Sequence, residues 1–383
     1  MNFSLGSALD FRLAAAALLL VFAGCGPDDG SKEYAAGMDA YALGDTARAA
    51  KMFALAAECN ATNVDALVML ARADVDLGDI KGAREAITRA GEMADGSDIV
   101  LLSAEIDYHL GEFDSAWEKY HVVANDTSLD AQIRALGLVG CGIVETARGA
   151  DRRDFARIAY LSAIRLDRRA ASARYHLGLL YRDAYGYYEA ALEQFEAYVR
   201  LEAEADARVQ KVQRVFIEAL KEDIARRKAE ISGASRRDSS AASDAMAKAE
   251  AAMKKKDSKT ARRCYEEAVK ADPLSFPAAF ALAQLIEKSD GTANGKKTAL
   301  NLYKTACILN AGSSKAFIAA GNLAYSMSQW ANSTEYYSRA VAADPANITA
   351  IDGLIRSLRK TGGKGKIADA YQKYRESIPV RRK

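Results

Sequence analysis

Residues 264–275 read CYEEAVKADPLS, and residues 336–347 read YYSRAVAADPAN. Tyr, Ala, Val, Ala, Asp and Pro recur in register, 72 positions apart. Each line is the end of an apolar stripe at three- and four-residue spacing, closed by a proline that cannot continue a helix. Working outward, Ala306 stands 38 positions after Ala268 and Ala340 a further 34, so the echo is two units long with four residues added between them. Towards the N-terminus the same interval returns. Ala49, Ala83 and Ala116 are spaced by 34 and then 33 positions, and Gly44, Gly78 and Gly111, each followed by Asp or Glu, mark turns with that period. A period near 34 predicts helix-turn-helix units that bury a core only by stacking.

Nine such units are expected, at 31–63, 64–96, 97–129, 130–170, 171–205, 242–275, 276–313, 314–347 and 348–380. The motif ARYHLGLLY at Ala173–Tyr181 with Ala191 and Phe195, the set Ala261, Tyr265, Ala268 and Pro273, and the set Phe317, Gly321, Tyr337, Ala340 and Pro345 resemble the tetratricopeptide repeat family. The alanines and glycines let two helices approach closely, and the aromatic rings fill the space left. The fold class implied is an all-α, tetratricopeptide-like solenoid. Between the fifth and sixth units, 206–231 reads as one amphipathic helix with Val209, Val212, Val215, Phe216, Ala219, Leu220 and Ile224 on one face. Residues 232–243, SGASRRDSSAAS, have linker composition. The domain reading is therefore a leader 1–24, a tether 25–32, an acidic array 33–205, a helix and linker 206–243 and a basic array 244–380. One continuous superhelix is the rival arrangement.

Half of the residues are hydrophobic, 27% are charged and five are proline, which suits a helix-rich chain and excludes a disordered or collagen-like one. The net charge of +2 argues against a dedicated nucleic-acid binder, but it conceals a division. Residues 25–205 carry 19 Lys and Arg against 31 Asp and Glu, whereas residues 244–383 carry 24 against 13. The basic runs Lys254–Arg263 and Arg359–Lys366, together with the VRRK tail, read either as solvated helix ends or as an anion-attracting face. They lack the interleaved aromatics that stack on bases.

The opening carries an uncharged apolar stretch, Leu13–Phe22, about 15 Å long as a helix against roughly 30 Å of bilayer hydrocarbon. A stretch that short after Arg12, ending in small residues, has the layout of a secretory signal. Ala23 and Gly24 before Cys25 resemble the lipobox of bacterial lipoproteins, which implies acylation of Cys25 and an outer-membrane location facing the periplasm.

Signs of catalysis are few. GTANGKKT at Gly291–Thr298 has three residues rather than four between its glycines and lies between helices, so it reads as the four-residue insertion and not a phosphate loop. Gly140-Cys141-Gly142 reads as helix packing. Cys59, Cys141, Cys264 and Cys307 form no metal spacing with His109, His121 and His176 and read as small buried hydrophobes. No catalytic residue, metal or cofactor is expected. The family resemblance implies a groove lined by the first helix of each unit. Carried over, that gives Tyr175, Leu179 and Arg182; Phe280, Gln284 and Glu287; and Ile318, Asn322 and Tyr325, with Asn322 placed to bond the backbone of an extended peptide. The function expected is a membrane-anchored periplasmic scaffold that holds a protein partner, acidic where it meets the C-terminal array. Self-assembly by head-to-tail charge pairing is the alternative.

Overall fold

The computed structural model describes residues 29–202, 207–232 and 237–379. Every regular element among them is helical. Two compact units divide between His176 and Leu177. The first contains α1 (Ser31–Ala42), α2 (Thr46–Cys59), α3 (Val64–Leu77), α4 (Ile80–Gly91), α5 (Ser97–His109), α6 (Phe113–Asn125), α7 (Ala131–Ala147) and α8 (Arg153–Leu166), and ends inside α9 (Ala171–Leu180). The second contains α10 (Tyr188–Leu201), α11 (Ala207–Lys211), α12 (Glu218–Ser232), α13 (Ser239–Lys254), α14 (Ser258–Ala271), α15 (Phe276–Ser289) and α16 (Ala293–Leu309). It closes with α17 (Ser314–Ser326), α18 (Trp330–Ala343), α19 (Ile348–Lys360) and α20 (Gly365–Glu376). Each helix packs on the next from α1 to α8 and again from α13 to α20, so eight of the nine expected helix pairs pack where the period places them, and α9 and α10 lie at the positions expected of the fifth. The fold is the all-α helix-turn-helix solenoid expected of a tetratricopeptide-like chain.

Side-chain caps start many of the helices. Asp45, Asn63 and Asp79 accept from the backbone N–H three residues on, and Asp257, Ser275, Thr292, Ser313 and Asn347 do the same in the second unit. Each such cap is worth about 1 kcal/mol. Packing then joins the helices through small residues. Ala49, Ala83, Ala116 and Ala156 in the first unit, and Ala268, Ala306 and Ala340 in the second, have no exposed surface.

Opposite them a buried ring recurs in most pairs, among them Phe53, Tyr120, Tyr160, Phe195, Tyr303, Tyr337 and Tyr371, with Ile87 taking that place in the second. Glycines make room for these rings. A Cβ at Gly37 would meet Phe53, one at Gly140 would meet Tyr120, one at Gly142 Tyr160, one at Gly178 Phe195 and one at Gly353 Tyr337, all inside 3.0 Å. The glycines flanking Cys141 are therefore packing devices. The additional residues at Gly291–Thr298 begin α16, with Thr292 accepting from the Gly295 N–H, and lengthen that helix to 17 residues.

Four expectations need correction or completion. The 206–231 helix is interrupted by a π turn at Val212–Ile217, whose wider turn shifts the apolar register. Val212, Ile217, Leu220 and Ile224 are buried, whereas Val215 is 52% exposed, Ala219 is also exposed, and Ile217 is absent from the simple 3.6-residue stripe. The 232–243 linker is shorter than its composition suggests, because Asp238 caps a helix that begins at Ser239. Cys141, Cys264 and Cys307 are buried as expected, but Cys59 is exposed, since it ends α2 beyond the last core position. Cys25, the leader 1–24 and the VRRK tail lie outside the described residues.

Candidate functional site

In the second unit α13, α15, α17 and α19 are the first helices of successive pairs, and α17 also packs directly on α19. The groove positions follow the repeat. Ile318, Asn322 and Tyr325 on α17 correspond to Phe280, Gln284 and Glu287 on α15, 38 positions earlier, and to Asp352, Arg356 and Arg359 on α19, 34 positions later.

The α17 set has the most developed geometry. Tyr337 Oη on α18 donates to Asn322 Oδ1 at 2.5 Å, and Asn322 itself is exposed. With its carbonyl oxygen occupied, the amide offers its Nδ2 donors outward. Tyr325 meets Trp330 edge-on with centroids 4.8 Å apart, and the Arg356 guanidinium lies 5.6 Å from the Tyr325 ring. A cation at that distance over an aromatic face is held by the ring quadrupole, which biases Arg356 towards the groove. Ile318 is half-buried beside them.

The α19 set surrounds a cavity of about 490 Å³ lined by Thr349, Asp352, Ile355, Arg356, Arg359 and Gln372. Arg375 Nε donates to Asp352 at 3.2 Å, and Arg359 approaches Asp369 only at 3.7 Å. Arg356 and Arg359 therefore keep donor capacity for a ligand. The sequence reading stopped one repeat short of this set, although adding 34 to each α17 position would have found it.

The α15 set is less open. Phe280 is buried, stacked on Phe276 at 5.6 Å and beside Tyr303 at 5.7 Å, so it is core with only the Lys315 ammonium near its face. Glu287 accepts from Tyr303 Oη at 2.6 Å. Burial, reinforced by that carboxylate, pushes the Tyr303 hydroxyl well above its ordinary pKa and keeps it a donor. Gln284 is half-buried.

The fifth repeat supplies no open groove at Arg182. Its guanidinium forks onto Asp183 at 2.6 and 2.8 Å and lies 4.1 Å from the Phe216 ring, occupied by the helix that follows the repeat. Leu179 is half-buried, and Tyr175 is half-buried edge-on to His176.

The first unit holds a groove column that the sequence reading passed over. Arg72 on α3 and Glu105 on α5 stand one repeat apart, each at the position corresponding to Asn322. Glu105 is buried, and its carboxyl is raised chiefly by burial, opposed by Arg72 and reinforced by Asp76. Tyr41 Oη donates to Asp76 at 2.6 Å. The clue was present in charges recurring at the repeat interval on an otherwise apolar helix face.

Burial pushes the Cys141 and Cys307 thiols up to about 12, the opposite of activation. Among the described residues no three His, Cys, Asp or Glu side chains are placed to hold a metal, and no helix is long and apolar enough to cross a membrane.

No protein-family model matches the sequence, and no curated protein matches it. Solved structures do. MamA residues 41 to the end from Desulfovibrio magneticus RS-1 is 16% identical, covering 47% of this chain and 99% of its own, with a TM-score of 0.36. Pseudomonas aeruginosa PilF is 15% identical, covering 67% of this chain and 97% of its own, with a TM-score of 0.38. Cut9 in the Cut9–Hcn1 hetero-tetramer is 13% identical, covering 92% of this chain and 79% of that chain, with a TM-score of 0.35. The likeness is loose in each case.

Proposed function

We propose that this chain is a non-catalytic scaffold whose α17–α19 groove binds an extended segment of a protein partner. The observation that supports this most directly is Asn322, exposed on the groove face with its amide fixed by Tyr337 and an arginine-bearing cavity one repeat away. A fixed amide can donate to a peptide carbonyl at little entropic cost. Arg356 and Arg359 favour a segment with carboxylates at the α19 end, because arginine forks match carboxylate geometry. In this reading Cys25 is acylated and tethers the scaffold to the outer membrane, facing the periplasm, where a partner in envelope, pilus or secretion assembly would meet it.

A photocrosslinker at Asn322 tests the groove. It should capture a partner segment, and Arg356→Ala with Arg359→Ala should reduce capture by about tenfold or more, in line with the loss of two charge-assisted contacts. Capture that is equal from an exposed helix face outside the groove would remove the proposal. The anchor is tested separately by Cys25→Ser, which should release the protein from membranes into the soluble fraction. Retention of that variant with the membrane would discredit acylation and leave the groove untouched.

A further inference from the structure

The second unit has two edges. Helices alternate in direction, so the turns between the two helices of a pair (255–257, 290–292, 327–329 and 361–364) lie along one edge, and the turns between pairs (272–275, 310–313 and 344–347) lie along the other. The between-pair turns contain no lysine or arginine, and only Lys270 and Lys315, both exposed, stand within two residues of them. The within-pair turns are flanked by cations. Lys254, Lys255, Lys256 and Lys259 stand exposed at the first. Lys288 and Lys297 are exposed at the second, and Lys360 and Lys366 at the fourth. Among the described residues none of these eight is ion-paired.

The third turn carries no charge, and a tryptophan stands there. Trp330 begins α18, with Lys360 Nζ 6.0 Å from its ring, and Met253 at the first turn is 40% exposed. The backbone at three of these turns is left-handed. Lys256 has φ of 60° and Ser328 φ of 58°, both in the left-handed region, where Gly363 stands at the fourth turn with φ of 78°. Glycine enters that region freely and a lysine does not. The chain thus holds a cation at a turn tip where the conformation favours glycine.

We infer that this edge docks on a bilayer surface rich in anionic phospholipid headgroups. Lysines on long stems, unpaired and spread over several turns, suit a diffuse and mobile array of phosphates. A fixed carboxylate pattern in a protein would favour the arginine fork instead. Tryptophan amid lysines is the side-chain mixture that settles at the headgroup level. Each lysine near such a surface strengthens partition about fivefold, falling off over about 8 Å at physiological ionic strength. The edge borders the groove where Trp330 meets Tyr325, but the inference does not rest on Cys25, and its lysines are not groove-lining residues.

The full chain should be sedimented with phosphatidylcholine vesicles, with and without phosphatidylglycerol, beside beads carrying polyglutamate. Phosphatidylcholine alone reports any contribution of the apolar leader. Binding should be stronger with phosphatidylglycerol and should fall with added salt. Lys255→Gln with Lys366→Gln should lower the phosphatidylglycerol-dependent part by about 25-fold. Lys256→Gly, which relaxes the backbone while removing a charge, should lower it about fivefold with a melting temperature no lower than that of the parent, separating docking from folding. Asn322→Ala should leave it unchanged. Equal partition onto both vesicle types, unchanged binding of the double variant, or retention on polyglutamate with no preference for phosphatidylglycerol would each overturn the inference, the last in favour of an acidic protein.

Discussion

The two units solve the same turn in opposite chemical ways. In the first, Leu43-Gly44-Asp45, Leu77-Gly78-Asp79 and Leu110-Gly111-Glu112 join paired helices, each with a glycine at φ near 80° and an exposed leucine, 85% exposed at Leu43. In the second, the left-handed position passes to Lys256, Ser328 and Gly363, and the preceding leucine gives way to Lys255, Met327 and Gly362. The fold requires only the backbone bend and a cap. What stands beside the bend is free, so an edge can change from apolar and acidic to basic while the interior stays the same.

That comparison breaks first if the interiors are not equivalent. Gly140→Ala in the first unit and Gly353→Ala in the second each drive a methyl into a buried tyrosine ring, and both should lose about 2–3 kcal/mol or more in denaturant melts. A loss confined to one unit would show that the two stacks are not built alike. Ala340→Phe should cost a similar amount, because Ala340 is fully buried.

Next in size is the response to acid. All three histidines lie in the first unit. His176 is buried against Tyr160, its Nε2 has no hydrogen-bond partner, and burial depresses its pKa to about 4. A depressed histidine favours the native state above its unfolded pKa of about 6.5 and loses that contribution as pH falls towards 4, on the order of 2–3 kcal/mol. Asp74 works against it over the same interval. Burial and then Asp79 raise its carboxyl to about 6, which favours the native state at lower pH, but its partial exposure weakens the effect, and the Glu105 carboxyl, raised chiefly by burial, acts in the same direction. The first unit should therefore melt earlier than the second as pH drops from 6.5 to 4, and His176→Phe should flatten the difference. Equal acid sensitivity of the two units would contradict this assignment.

The smallest effects sharpen the comparison at the turns themselves. Gly78→Ala should destabilise by about 1 kcal/mol from left-handed strain alone, because a Cβ there meets nothing within 4 Å. Lys256→Gly should stabilise by up to about 1 kcal/mol for the same reason reversed, offset in part by the entropy of a new glycine.

Much of this molecule was legible before any coordinates, because stacking repeats write their contacts at a fixed interval. Gly44, Gly78 and Gly111 announced the turns, and Ala268, Ala306 and Ala340 the packing. What escaped was whatever departs from the interval. The π turn at Val212–Ile217 places buried residues five apart, a spacing no 3.6-residue stripe anticipates. The buried Asp107 receives Arg84 Nη2 at 2.5 Å, Ser115 Oγ at 2.5 Å and Lys119 Nζ at 2.6 Å, from partners 23, 8 and 12 residues away in sequence. Nothing in the linear order marks that network. The groove was legible only where the family resemblance was carried far enough, and Asp352, Arg356 and Arg359 lay one period beyond it.

Tyr337 has a consequence of its own. Its ring is wedged between Gly321 and Gly353, one on each neighbouring first helix, while its hydroxyl steers the Asn322 amide. One side chain is thus both rivet and aiming device. Trimming only the oxygen, as in Tyr337→Phe, would leave the rivet seated and let the amide swivel, so the grip on a guest can loosen while the frame that presents it keeps its shape.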